Sequence, residues 1–258
     1  MNEQDAPPAT TRDEFWGPFA PAPSEMRHGR SVRDGYARGW GLQFNDLRGK
    51  ILQDPLFLEA VRLAEGRSVM SEYNRLNIFL IMRYFLEPYS HGHVVEFGTY
   101  RGGSALFMAY VARALYPKMR IYALDTFEGM PPTDSAVDAH GEGDFRDTSV
   151  DELTAVAAQH GLHNVSFIKG RFEDTAPALL REEIGQVALA HVDCDIYSAV
   201  AYSYDVVRPF MLSGGYIVFD DATVPSCIGA TEAVESLVIR RDGLNSEQIY
   251  PHFVFRAP

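Results

Sequence analysis

From Gly92 onward the sequence alternates short apolar runs with helical stretches, and this alternation constrains the fold more than any other feature. HVVEFG, RIYALD, NVSFIKG, VALAHVD and GGYIVFDD each read as a short buried strand, and each ends in glycine or aspartate. Between them lie SALFMAYVARAL, DELTAVAAQHG (stopped by Gly161) and SAVAYSYDVVRPFM, all with helical character. Strands that alternate with helices pair in parallel through right-handed crossovers. The expected fold class is therefore α/β: a doubly wound, mostly parallel, Rossmann-like sheet. Such sheets bind ligands beyond the carboxyl ends of their strands. The chemically distinctive residues of this chain fall at those ends.

Upstream, Phe57, Leu58, Val61 and Leu63, then Leu76, Phe79, Leu80, Met82 and Phe85, recur with helical spacing between Pro55 and Leu86. Residues 1 to about 30 are rich in Pro, Ala and charge; they are predicted to be irregular, with a mobile start. Trp16 and Phe19 are candidates to pin that arm to the domain or to a partner subunit. A chain of 258 residues suits one α/β domain with an extension. We expect an arm over 1–55, a domain over 56–258 and a homo-oligomer.

Several function classes are disfavoured. No apolar run reaches the roughly 18 residues that a membrane span needs. The start, MNEQDAPPATTRDEF, lacks the basic and apolar stretches of a secretory signal. The two cysteines, Cys194 and Cys227, form no C-x-x-C pair, which predicts neither a disulfide framework nor a thiolate metal site. These features predict a cytoplasmic protein. A net charge of -12 opposes binding to a nucleic-acid backbone and favours a small-molecule or glycan partner.

The turn after the first strand reads Glu96-Phe97-Gly98-Thr99-Tyr100-Arg101-Gly102-Gly103-Ser104. This is not G-x-G-x-x-G, and an acidic residue ahead of the turn would repel a pyrophosphate. Glu96 suits a cationic ligand instead, and S-adenosylmethionine carries a sulfonium and an ammonium group. The competing reading is that Glu96 caps the loop. Asp125 ends the second strand, where a carboxylate can accept the ribose hydroxyls of an adenosine. Thr126 and Phe127 follow it and can border the adenine. Gly170 would let the adenine approach, with Phe172 either beside it or simply packed.

Two acidic clusters end consecutive strands: Asp193-Cys194-Asp195 and Asp220-Asp221. Carboxylates brought that close cannot all stay ionised without a cation. Oxygen donors without an imidazole or thiolate cluster suit Mg²⁺, Ca²⁺ or Mn²⁺. The alternative is a set of separate, solvated carboxylates. A bound cation would lower the pKa of an acceptor hydroxyl, and a neighbouring carboxylate could take its proton.

The ordered set EFGTYRGGSA, LDTFEGMPPTD, HVDCDIYSA and GGYIVFDDA resembles the macrocin O-methyltransferase family of class I methyltransferases, from about Met70 to the C-terminus. The resemblance implies an enzyme that uses adenosylmethionine and Mg²⁺ to methylate sugar hydroxyls in natural products. It places the metal aspartates at Asp193, Asp220 and Asp221 and makes Asp193 the general base. The segment SEYNRLN resembles one near the methionine end of the cofactor, so Arg75 is expected to hold its carboxylate. The expected cofactor contacts are Arg75, Glu96, Gly98, Tyr100, Arg101, Gly102, Ser104, Asp125, Thr126, Phe127, Gly170 and Phe172.

Two rivals remain. A phenol or catechol O-methyltransferase would use the same fold and metal. A nicotinamide-dependent oxidoreductase lacks support, because Tyr197 and Tyr202 have no Lys four residues on. A non-catalytic glycan-binding module would leave the loop and the acidic clusters unexplained. The long polar segment from Pro131 to Asp147 is expected to act as a lid. Within it, His140 is either an acceptor contact or a solvated histidine. His191 is expected to be a packed core residue, and Thr223, Pro225 and Ser226 to sit near the acceptor.

Overall fold

The computed structural model describes residues 26–27, 30–31 and 46–258. The anchoring role expected of Trp16 and Phe19 lies outside the described residues. Two compact units, Met1–Gly49 and Lys50–Pro258, divide the chain. In the first, β1 (Met26–Arg27) and β2 (Arg30–Ser31) form an antiparallel pair. Helix α1 spans Asp46–Ile51.

The second unit opens with helices α2 (Pro55–Ala64) and α3 (Glu72–Tyr84). Their starts follow from capping chemistry: Asp54 accepts from Leu56 N–H with Pro55 at the first turn, and Ser71 accepts from Asn74 N–H. The sheet comprises β3 (His93–Phe97), β4 (Ile121–Asp125), β5 (Val165–Lys169), β6 (Val187–Val192), β7 (Met211–Phe219) and β8 (Phe253–Arg256). Its order is β5-β4-β3-β6-β7-β8, parallel except for β8. All five predicted strands form. The antiparallel edge strand β8 was not foreseen. The connections are α4 (Gly103–Leu115), α5 (Val150–Gln159), α6 (Phe172–Leu179), α7 (Tyr197–Val207) and α8 (Ile228–Ala233). Pro177 lies inside α6, whose last turn relaxes into a π-helical segment.

Strand alternation sorts the sheet's two faces. Val95, Phe97, Ala190, Val192, Ile217 and Phe219 join one apolar cluster with Leu179, Val200, Tyr204, Ala230 and Val234 from α6–α8 and the segment that follows. Glu96 and His191 take the other face as cross-strand partners in register. The chain turns from β4 and β5 on one side of β3 to β6 and β7 on the other. That switch in strand order opens a crevice at the carboxyl ends of β3 and β6. Among the described residues no helix is long and apolar enough to cross a membrane.

Candidate active site

The carboxyl ends of the strands open into a cavity of about 640 Å³. At one end lies the loop after β3. Gly98 has φ +84°, and a Cβ there would lie 1.8 Å from the Asp193 carbonyl oxygen. Only glycine lets this loop cross the end of β6 so closely. At Gly103, a Cβ would meet Ser68 Cβ at 2.5 Å and the Arg67 carbonyl oxygen at 2.7 Å. That approach brings Arg67, Ser68, Val69 and Met70 onto the cavity wall, where no sequence motif marked them.

Asp125 first serves the loops. Its Oδ2 accepts from the backbone N–H of Thr99 (2.9 Å) and Tyr100 (2.8 Å), and its Oδ1 accepts from Phe127 N–H (2.8 Å). One carboxylate thus pins the turns after β3 and β4 together while still lining the cavity. Gly98, Tyr100, Ser104, Thr126 and Phe172 also line it.

Other residues expected to touch cofactor lie off this wall. Arg101 pairs with Asp147 beside a separate polar cavity of about 380 Å³. Gly102 starts α4 in the left-handed region and packs against Leu153. Phe127 is buried. Gly170 N–H donates to the Asp125 carbonyl, and a Cβ there would meet Thr175 at 2.7 Å. On α3 it is Asn74, one residue before Arg75, that reaches the wall; a step of one residue turns a side chain about 100° around a helix.

Glu96 departs most from expectation. It is fully buried and not on the wall. Its Oε1 lies 3.0 Å from His191 Nδ1, and its Oε2 accepts from Thr99 Oγ1 at 2.5 Å. Its charge therefore meets an imidazole, not an open cavity. His191 Nε2 lies 3.4 Å from Asp220 Oδ1. Burial alone would lower the His191 pKa, but the bonds to Asp220 and Glu96 push it up to about 10. His191 is buried as expected, yet it acts as an ionic bridge between the two ends of the site.

Asp220 Oδ1 also accepts from His252 Nε2 at 2.6 Å and Asn74 Nδ2 at 2.9 Å. His252 Nδ1 faces Asn77 Nδ2 at 2.9 Å, and Asn77 Oδ1 accepts from Gln248 Nε2 at 2.8 Å. Asn74 and Asn77, three apart, share one face of α3. Asn74 and Asn77 fall in SEYNRLN, where the resemblance pointed to Arg75 instead, and no motif marked His252. The only sequence signal was polar residues at helical spacing in SEYNRLN.

Asp193 follows β6, and Asp220-Asp221 follow β7. Because Val192 and Phe219 are in register, the clusters meet. One carboxylate oxygen from each of Asp193, Asp220 and Asp221 lies within 4.8 Å of the others. Burial pushes the carboxyls of Asp193 and Asp221 well above the usual range, and the charges of Asp220 and Asp195, respectively, push them further. Asp220 goes the other way: burial would raise it, but His252 and His191 outweigh that and lower it. Clustered hard oxygen donors, two of which resist ionising together, fit a hard divalent cation.

The segment from Pro131 to Asp147, expected to act as a lid, places Pro131, Pro132, His140 and Phe145 on the cavity wall. Its base is tied by Met130 N–H to the Asp144 carbonyl (2.8 Å) and Gly143 N–H to the Met130 carbonyl (3.0 Å). Asp138 Oδ1 accepts from Tyr197 N–H at 2.8 Å, capping α7. Thr223, Pro225 and Ser226 line the same end.

Over residues 75–239 the sequence matches the family described as macrocin O-methyltransferase (TylF). The chain belongs to that family. It is 31% identical over 146 residues to 8-demethyl-8-(2,3-dimethoxy-α-L-rhamnosyl)-tetracenomycin-C 4'-O-methyltransferase of Streptomyces olivaceus, covering 53% of this chain and 55% of that one. It is 28% identical over 148 residues to mycinamicin III 3''-O-methyltransferase of Micromonospora griseorubida, covering 53% and 57%. The chain thus spans about half the length of these relatives. In fold it is similar to the calicheamicin methyltransferase CalS11 (TM-score 0.61, 19% identity, 90% of this chain and 99% of that one). It is equally similar to the O-methyltransferase NovP (TM-score 0.61, 22% identity, 85% and 98%). The macrocin O-methyltransferase match covers β3 to β7 and so includes all three clustered aspartates.

Proposed function

We propose that this chain is an S-adenosylmethionine-dependent O-methyltransferase that acts on a sugar hydroxyl of a glycoside, glycan or natural product with the help of a divalent cation, Mg²⁺ first. One observation carries this reading: a single cavity joins the Asp125-pinned loops at one end to the Asp193, Asp220 and Asp221 cluster at the other. Family membership supports the methyl donor. The rhamnosyl group in the name of the tetracenomycin relative supports a sugar acceptor.

Asp193, Asp220 and Asp221 would hold the cation. When bound, it polarises the acceptor hydroxyl and lowers its pKa. Asp193 would take the hydroxyl proton as the general base. Asp220 is held in place by His252, Asn74 and His191, and Glu96 fixes His191 from behind. The loops after β3 and β4 orient the donor, and the remaining work is positioning.

Calorimetry tests the donor site. Adenosylhomocysteine is expected to bind, and Asp125→Ala to weaken it by about 1–3 kcal/mol, the scale for stranding partners of a lost charged acceptor. Tight NAD binding without adenosylhomocysteine binding would refute the reading. A mass-shift screen over glycosides and catechols then separates a sugar enzyme from a phenol or catechol enzyme.

Hydrogen exchange tests the lid. Amides between Pro131 and Asp147 should exchange more slowly when donor and acceptor are both bound. Unchanged exchange in a demonstrated ternary complex would rule out closure.

A further inference from the structure

Three side chains of different chemistry converge at the lid end of the cavity. Cys227 Sγ lies 3.2 Å from Asp195 Oδ1 and 3.7 Å from His140 Nε2. His140 Nε2 lies 3.9 Å from Asp195 Oδ1. They come from three separate segments: the lid, the loop after β6 and the residue capping α8. All three line the cavity. Tetrahedral Zn²⁺, with bonds of about 2.3 Å to sulfur and about 2.0–2.2 Å to nitrogen or oxygen, sets its donors roughly 3.3–3.6 Å apart. Shifts of about half an ångström or less would bring this triad to that geometry.

The surroundings are those of a metal-binding histidine. His140 Nδ1 lies 3.3 Å from Asp144 Oδ2, which also accepts from Gly141 N–H at 3.0 Å. A carboxylate behind one ring nitrogen orients the imidazole and directs the other nitrogen, Nε2, toward Cys227 and Asp195. Asp195 is itself constrained: it has φ +59°, and its N–H donates to Asp221 Oδ2 at 3.0 Å.

We propose that His140, Asp195 and Cys227 form a second cation site, distinct in chemistry from the three-aspartate cluster and suited to a borderline divalent ion such as Zn²⁺. One sulfur, one nitrogen and one oxygen donor favour such an ion over Mg²⁺. On binding, the Cys227 thiol releases its proton to solvent and the sulfur bonds the ion. Three protein ligands leave a fourth position open toward the cavity for water or an acceptor oxygen. Because His140 belongs to the lid and the other two ligands do not, the ion would clip the lid shut. The site does not depend on the methyl-transfer reading. Sequence spacing missed it because its donors are scattered along the chain.

Co²⁺ serves as the spectroscopic probe, titrated into the full chain stripped by chelator. A saturable thiolate-to-cobalt charge-transfer band is expected, displaced by Zn²⁺ but not by excess Mg²⁺. Cys227→Ser should abolish the band, and Cys194→Ser should keep it. Asp144→Asn, a change at an exposed side chain, should weaken Co²⁺ binding by about 10–100-fold. A band that is absent from the wild type, survives Cys227→Ser or yields to Mg²⁺ overturns the proposal. If Cys227→Ser does not fold, unaltered Co²⁺ affinity in Asp144→Asn overturns it equally.

Discussion

Asp193→Asn is expected to lower kcat by about 10²–10⁴-fold, the usual cost of losing a general base, with a further loss from weakened cation binding. Asp220→Asn removes a ligand charge but leaves the proposed base in place, so added Mg²⁺ should restore it much better than Asp193→Asn. In chelator, turnover should stop while adenosylhomocysteine still binds, because the donor loops are pinned by Asp125 and not by the three clustered aspartates. The measurement is initial rate against Mg²⁺ concentration for wild type and both variants. Full turnover by metal-free protein would refute the metal mechanism. Equal rescue of the two variants would keep the cation but move the base away from Asp193.

The largest stability effect is expected at Gly98. An alanine there must adopt φ near +84° and place its Cβ 1.8 Å from the Asp193 carbonyl oxygen. Backbone strain costs about 1–3 kcal/mol and overpacking about 1–3 kcal/mol, so Gly98→Ala should lose about 2–6 kcal/mol. For a domain of this size that lowers Tm by at least about 4 °C. The control is Gly66, with φ +72° and nothing within 4 Å of a Cβ. Gly66→Ala bears the strain alone, about 1–2 kcal/mol. Equal Tm shifts for the two variants would show that the approach of the loop to β6 carries no cost. If the clash is real, Gly98→Ala should also weaken adenosylhomocysteine binding, since Thr99 and Tyr100 would shift on Asp125.

The parallel core was legible because its central strands are buried. HVVEF and VALAHV read as short apolar runs in spite of Glu96 and His191, and the helices between the strands impose the crossovers. The acidic clusters were legible for the same reason: each directly follows such a run. Less visible were β8, whose partner β7 is set by a long-range antiparallel pairing, and α6, which carries Pro177 in its interior.

Within the site, the sequence by itself determined which strand ends carry chemistry, since a residue's place after a strand follows from local pattern alone. It also determined the glycine-rich turn and the three aspartates. Which side chains face the cavity was decided by tertiary structure. Strand alternation set Glu96 on the His191 face, one residue short of the opening. The helical period gave the wall to Asn74 and not to Arg75. His252, Asn77 and His140 reach their partners from distant segments. Hydrogen bonds and metal ligation depend on distance in space, and local pattern fixes that only within an element, not between elements.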